Sequence, residues 1–369
     1  MKSITSGGAR AVLAATAAGL LLSGCGGERA NDEAALSAGS VDLALEQIID
    51  NTVIPSAQAF QSQVSAFNSA ASSFCASPDA TGLSNLQSSW NAMALAWYGL
   101  VPFNFGPLFD DTVFPQYQYI DSYRVRGTDY TATVRTNQSG LINGDTELSS
   151  SYFDARTFQY VGLLALEVAS YEALADGVTD DNRTDAATVL AEYQASDRRC
   201  GILTGLAGSL QNRADYVVNG WTLDSQSSGT PYRDLFLAGE TIDGAEPLTE
   251  MISAVQSYLD YLQQRNTVAN VAQIAGTSWA QMSASIASIE ATLAGTENST
   301  ITLFGLMTAG GNSADVDTVQ ANIDAARVAI ASENTTDFNS LAAELDGNFK
   351  REIPDGLDVS LGINFSDGD

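Results

Sequence analysis

Histidine is absent from this 369-residue chain, and lysine occurs only at Lys2 and Lys350. Without an imidazole there can be no zinc site of the His-Glu-x-x-His kind, no Ser-His-Asp triad and no Cys-His dyad. A serine–lysine dyad would have to use Lys350, which stands near the C-terminus without a supporting motif. Gly-x-Ser-x-Gly and phosphate-binding Walker loops are missing too. Positive charge is scarce, with 16 Lys and Arg against 44 Asp and Glu and a net charge of −28. Such a surface repels nucleic acid and anionic lipid and attracts cations, so no nucleic-acid partner is expected. Charged residues make up only 16% of the chain against 45% hydrophobic. That balance describes a globular protein with a large core, not an acidic disordered chain.

The first residues read as an export signal. Lys2 and Arg10 form a positive n-region, Ala11 to Leu22 a short apolar core, and Leu22-Ser23-Gly24-Cys25 closes it. The apolar run is too short to span a bilayer as a mature helix. Its last four residues match the bacterial lipobox, so residues 1–24 are expected to be removed and Cys25 lipidated, an anchor of several acyl chains. Gly26-Gly27 follows where an Asp would favour the inner membrane, which points to the outer membrane of a Gram-negative bacterium, facing either the periplasm or the outside. Residues 26–40 read as a tether. Of the three cysteines, Cys75 and Cys200 then remain, an even pair in an oxidising compartment and a candidate disulfide, the alternative being two free thiols.

The body reads as helix after helix. Apolar residues keep helical spacing from Val41 to Phe74, with a kink or break expected at Pro55. Leu83, Leu86, Trp90, Met93, Trp97 and Leu100 form a clean seam. One long helix is expected over 184–221. Further stripes run from Leu248 to Leu262, Trp279 to Leu293, Val316 to Ile330 and Phe338 to Phe349, as bundle helices require. The expectation is an all-α protein of two packed helical-bundle halves, about 41–225 and 226–350, ahead of a tail at 351–369. Residues 102–152 lack a helical period and are rich in aromatics, and a segment of that kind is usually functional or packs across another module.

The chain centres on Tyr152 to Glu172, which reads as one helix. Glu167 lies in its most apolar part, where an ionised carboxylate is costly unless paired, hydrogen-bonded or bound to a cation. Gly162 removes a side chain just before it, as though something must approach closely. The plainer alternative is a packing notch at Gly162 and a core arginine beside Glu167. With no histidine, any metal site would need oxygen ligands, which suits calcium or ferric iron and leaves no catalytic zinc expected. The acidic run from Asp176 to Asp185 lacks the EF-hand pattern and reads as a solvated loop ending in a helix cap.

The lipobox, the Trp90–Trp97 helix running into Phe103-Asn104-Phe105-Gly106-Pro107, the Ile120-Asp121-Ser122-Tyr123 segment and Gly162-Leu163-Leu164-Ala165-Leu166-Glu167 together resemble the imelysin family. The resemblance covers about Val41 to Phe349. It implies an all-helical periplasmic or outer-membrane protein in two halves, of a family first described as insulin-cleaving metallopeptidases and including many apparent iron-uptake components. The family signature at the central helix is Gly-x-His-x-x-Glu, whose His and Glu share a helix face able to hold a cation. Here Gly162 and Glu167 match its ends, and Leu164 stands in place of the histidine.

Losing that ligand disfavours metal-activated hydrolysis and leaves a candidate pocket with Glu167 at its centre. Asp154, Arg156 and Asp121 are its candidate neighbours, Arg156 being equally a possible counter-ion. The expectation is a lipoprotein that binds a cation, an iron chelate or a partner protein, with iron acquisition implied by the resemblance alone and iron-uptake proteins as its partners. The alternatives are a metal-dependent peptidase with Glu167 as general base, and a structural lipoprotein whose site has decayed.

Overall fold

In a computed structural model, the residues described are 38–110, 113–122, 128–174, 185–242 and 244–359. The lipobox with Cys25, the start of the tether and the acidic run 176–184 lie outside them. All regular structure among the described residues is helical.

Helix α1 (Ala38–Ile48) runs through a π-helical turn, Ile49–Val53, directly into α2 (Ile54–Ala76). Of the kink or break expected at Pro55, the break does not occur, and the irregularity there is the π-helical turn within an uninterrupted helix. The wider π turn, in which the Ile54 N–H reaches Ile49 O, shifts the carbonyl that the Pro55 ring would otherwise strike. Helix α3 (Ala80–Leu100) starts at Asp79, whose carboxylate accepts from Gly82 N at 2.7 Å. All six of its seam residues, Leu83 to Leu100, are buried.

The segment 102–152 is less irregular than its sequence suggests. After two short 3₁₀ turns come α4 (Gln116–Ile120), the twelve-residue α5 (Thr131–Ile142) and α6 (Ser150–Asp154). The inner face of α5 is Val134, Gln138, Leu141 and Ile142, and the polar Gln138 within it weakens the apolar period.

The single helix expected over 152–172 is two helices. A 3₁₀ turn at Phe158–Tyr160 separates α6 from α7 (Gly162–Tyr171). Gly162 opens α7 with φ +80°, and a Cβ there would lie 2.5 Å from the carbonyl oxygens of both Tyr119 and Ile120. Something does approach closely, and it is the backbone at the end of α4. The expected 184–221 helix likewise divides at Ser196, which is extended, into α8 (Ala186–Ala195) and α9 (Asp197–Thr222).

In the second half, α10 (Tyr232–Leu237) leads to α11 (Pro247–Gln264), α12 (Thr267–Asn270) and α13 (Ser278–Ala294). Then follow α14 (Leu303–Ala309), α15 (Ser313–Ala331), α16 (Thr335–Lys350) and α17 (Glu352–Gly356). The tail is thus partly structural, because Ile353 and Leu357 are buried in the core.

Helix α2 packs on α3 and α9 in one half, α16 on α11 and α15 in the other, and α3 on α13 across the two. One apolar core runs through both halves. Cys75 and Cys200 are disulfide-bonded with Cα atoms 5.5 Å apart, tying the end of α2 to the start of α9. No described helix is long and apolar enough to cross a membrane.

Candidate functional site

Helix α7 is the axis of the site, buried from Gly162 to Ser170. Side chains from its neighbours bond its backbone oxygens, each of which can accept twice. Trp90 Nε1 donates to Leu163 O at 3.1 Å, Gln138 Nε2 to Ala165 O at 2.7 Å, Tyr193 OH to Ala169 O at 2.6 Å and Gln87 Nε2 to Ser170 O at 3.1 Å. The guanidinium of Arg199 reaches Ala169 O at 3.1 Å and also Glu172 O. The tryptophan and the glutamines thus hold α7 in register from helices α3 and α5.

Glu167 is fully buried. Its Oε1 accepts from the backbone N–H groups of Ile274 and Ala275 at 3.0 and 2.9 Å, in the link between α12 and α13. This is a contact between the two halves, made by a side chain of the first and the backbone of the second. Its Oε2 is buried without a hydrogen-bond partner. Burial is the main cause that lifts this carboxyl from 4.5 to about 8, with the two N–H donors opposing and the negative fields of Glu172 and Asp121 adding. Glu167 is therefore largely a neutral acid at pH 7.

Beside it is a cavity of about 10 Å³ whose lining includes Trp90, Tyr98, Asp121, Glu167 and Gln281. Asp121 is buried and accepts from Trp97 Nε1 and Tyr98 OH, both at 2.9 Å. Burial, then the Asp121 charge, pushes the Tyr98 hydroxyl well above its ordinary range. Gln281 is buried too, with its Oε1 unpartnered.

The structure brings together Glu167, Asp121 and Gly162, the last setting the start of the helix that carries Glu167. Asp154 and Arg156 are elsewhere. Asp154 accepts from Ser209 Oγ at 2.7 Å and Asn212 Nδ2 at 2.8 Å on α9. Arg156 is exposed and lies 4.1 Å above the Tyr152 ring, so it is not the counter-ion of Glu167. The arginines nearest in chemistry serve other groups, Arg135 forming a bidentate pair with the buried Glu172 and Arg199 standing 3.5 Å from Glu192. Sequence reading missed Gln281 and Tyr98. Gln281 adjoins Met282 in an apolar stripe, and a glutamine on such a face is the signal that could have drawn attention to it.

A metal of the kind the family signature implies does not fit this set. Leu164, at the position of the signature histidine, offers no ligand. Glu167 Oε1 and Asp121 Oδ2 already accept two bonds each. Among the described residues no three His, Cys, Asp or Glu side chains converge to hold an ion. An octahedral or higher oxygen shell needs six or more donors.

The family model for Imelysin matches residues 53–358. Among solved structures, an imelysin-like protein from Psychrobacter arcticum 273-4 superposes with a TM-score of 0.67 at 16% identity, covering 88% of this chain and 98% of that one. A protein from Parabacteroides distasonis ATCC 8503, named as a candidate iron-regulated protein A precursor, gives 0.56 at 14% identity, covering 87% and 96%. At such identities the likeness is one of fold. No curated protein matches the chain significantly. The match along most of its length, on an all-helical frame, makes the chain a member of the imelysin family.

Proposed function

We propose that this chain is a lipid-anchored, non-hydrolytic binding protein of the outer membrane that serves iron acquisition, its ligand being a ferric chelate or a partner protein. The observation that carries the first part is the donor set at the family signature: one buried glutamate, two of whose bonds come from backbone, and a leucine where the second ligand belongs. A hydrolase would need a water held and activated against a substrate carbonyl. A cavity of about 10 Å³ admits no peptide. It admits no chelate either, so the ligand is held on the surface. The lipobox ending at Cys25 supports the anchor, and the name of the Parabacteroides structure supports the link to iron.

The test is growth of a deletion strain under iron limitation, complemented by the wild type and by Cys25→Ala. The expected outcome is a growth defect repaired by the wild type and not by the unanchored variant. The purified protein is also incubated with peptide substrates and a panel of divalent metals. Metal-dependent cleavage that disappears in Glu167→Gln would reinstate the peptidase reading.

A further inference from the structure

The backbone that bonds Glu167 is a single turn that itself reaches the surface. Between α12 and α13 the chain runs through Val271–Thr277 without helix. Ala272 O accepts from Gly276 N at 2.8 Å and from Thr277 N at 3.4 Å, which closes residues 272–276 into one compact turn. Both ends of the turn are left-handed, Gly276 at φ +69° and Ala272 at φ +48°. Glycine takes that conformation freely, but an alanine is strained in it and stays there only while its surroundings hold it. Gln273 and Gly276 are exposed on the outside of the turn. On its inside are the Ile274 and Ala275 N–H groups, bonded to Glu167 Oε1. Glu167, though fully buried, thus lies one layer of chain beneath the surface. The other polar ties are few. Gln273 Nε2 bonds Ala269 O within the same stretch of chain, and Thr277 Oγ1 stands 3.3 Å from Asn91 Oδ1.

We propose that residues 271–277 form a lid over Glu167, latched by that carboxyl and hinged at Ala272 and Gly276, which opens locally while the long helices stay folded. The bonds to Ala272 O are internal to the turn, so it can move as a unit. Opening breaks the two N–H bonds to Glu167 Oε1, and both N–H groups then meet water. It also releases the strain at Ala272, which offsets part of the cost. On one side the segment is supported only by α12, a helix of four residues. A surface turn with few buried ties belongs to the least stable part of a fold. The carboxyl beneath it is held differently. Helix α7 is bonded from α3 through Trp90 and from α5 through Gln138, so Glu167 stays in place when the lid moves. The second half of the chain thereby gates access to the signature glutamate of the first. Any solute that reaches this oxygen must first displace the turn. This inference stands whether or not the protein serves iron uptake.

The experiment is hydrogen–deuterium exchange of the purified wild type, beside carbodiimide-driven labelling of its carboxyl groups with glycine ethyl ester, both read by mass spectrometry. The Ile274 and Ala275 amides should exchange on the order of 100-fold faster than amides in the middle of α7 and α13. Glu167 should be labelled in the native protein, and the buried, arginine-paired Glu172 should not. Ala272→Gly removes the strain of the closed turn, so it should slow both the exchange of the turn and the labelling of Glu167 by roughly 2–10-fold. Glu167→Ala removes the latch and should speed exchange of the turn while α9 keeps its protection. Exchange of the turn as slow as that of α7 and α13 overturns the proposal. So does labelling of Glu167 that begins only at urea concentrations unfolding the whole chain, or a turn that exchanges faster in Ala272→Gly. The wild-type measurements decide the matter even where a variant fails to fold.

Discussion

Replacing Glu167 with glutamine should stabilise the protein at high pH and leave it almost unchanged at low pH. Glutamine keeps the shape of the side chain and an acceptor for the Ile274 and Ala275 N–H groups, and it cannot ionise. The folded protein holds the Glu167 carboxyl at about 8 against 4.5 ordinarily, so between those values the folded state binds a proton that the unfolded state has released. Stability from this group is complete below pH 4.5 and is lost as the pH rises through about 8. The groups that face it, Asp121, Glu172, Tyr98 and Tyr171, are acids, and no cation pairs with it among the described residues. The loss is at most about 1.4 kcal/mol per pH unit, and its ceiling above pH 8 is on the order of 5 kcal/mol.

The assay is urea unfolding of the wild type and Glu167→Gln from pH 5 to pH 9, read as the difference between the two proteins. Titrating groups that do not interact with Glu167 cancel in that difference. It should be near zero at pH 5 and grow in favour of glutamine to several kcal/mol at pH 9. A difference that stays flat across the range would mean that Glu167 is ionised or hydrated throughout, and the neutral-acid argument would fail.

Gly162→Ala should destabilise by about 2 kcal/mol or more, seen as a lower melting temperature, because a left-handed φ is combined with a Cβ placed 2.5 Å from two backbone oxygens. Opening the Cys75–Cys200 bond, by reductant or by the double Ser variant, frees a loop with a sequence separation of 125 and should cost up to about 5 kcal/mol in urea unfolding, by the chain-entropy relation. Arg135→Met strips the buried Glu172 of its bidentate partner and should cost roughly 3–5 kcal/mol in urea unfolding, because an uncompensated carboxylate is left buried.

The sequence by itself determined the class of the fold, because the apolar stripes from Leu83 to Leu100 or from Trp279 to Leu293 can be buried together only as helices. It also determined what chemistry is missing, since a chain without histidine cannot fill the family signature whatever its fold. Glu167 stood out as a charge in an apolar run, a purely local signal. Where the helices stop is a matter of tertiary structure. The division at Gly162 depends on carbonyls from Tyr119 and Ile120, some forty residues away. Helix α5 was hidden because Gln138 occupies a core position to bond Ala165 O in another helix. The surroundings of Glu167 were hidden for the same reason. Asp154 and Arg156 are near it in sequence, but α6 turns them toward α9 and solvent. Its actual neighbours come from α3, the residue that caps α4 and the link between α12 and α13. Spacing within one helix can nominate a buried acid, but only the packing of distant segments decides whether it meets a cation, a metal or two backbone N–H groups.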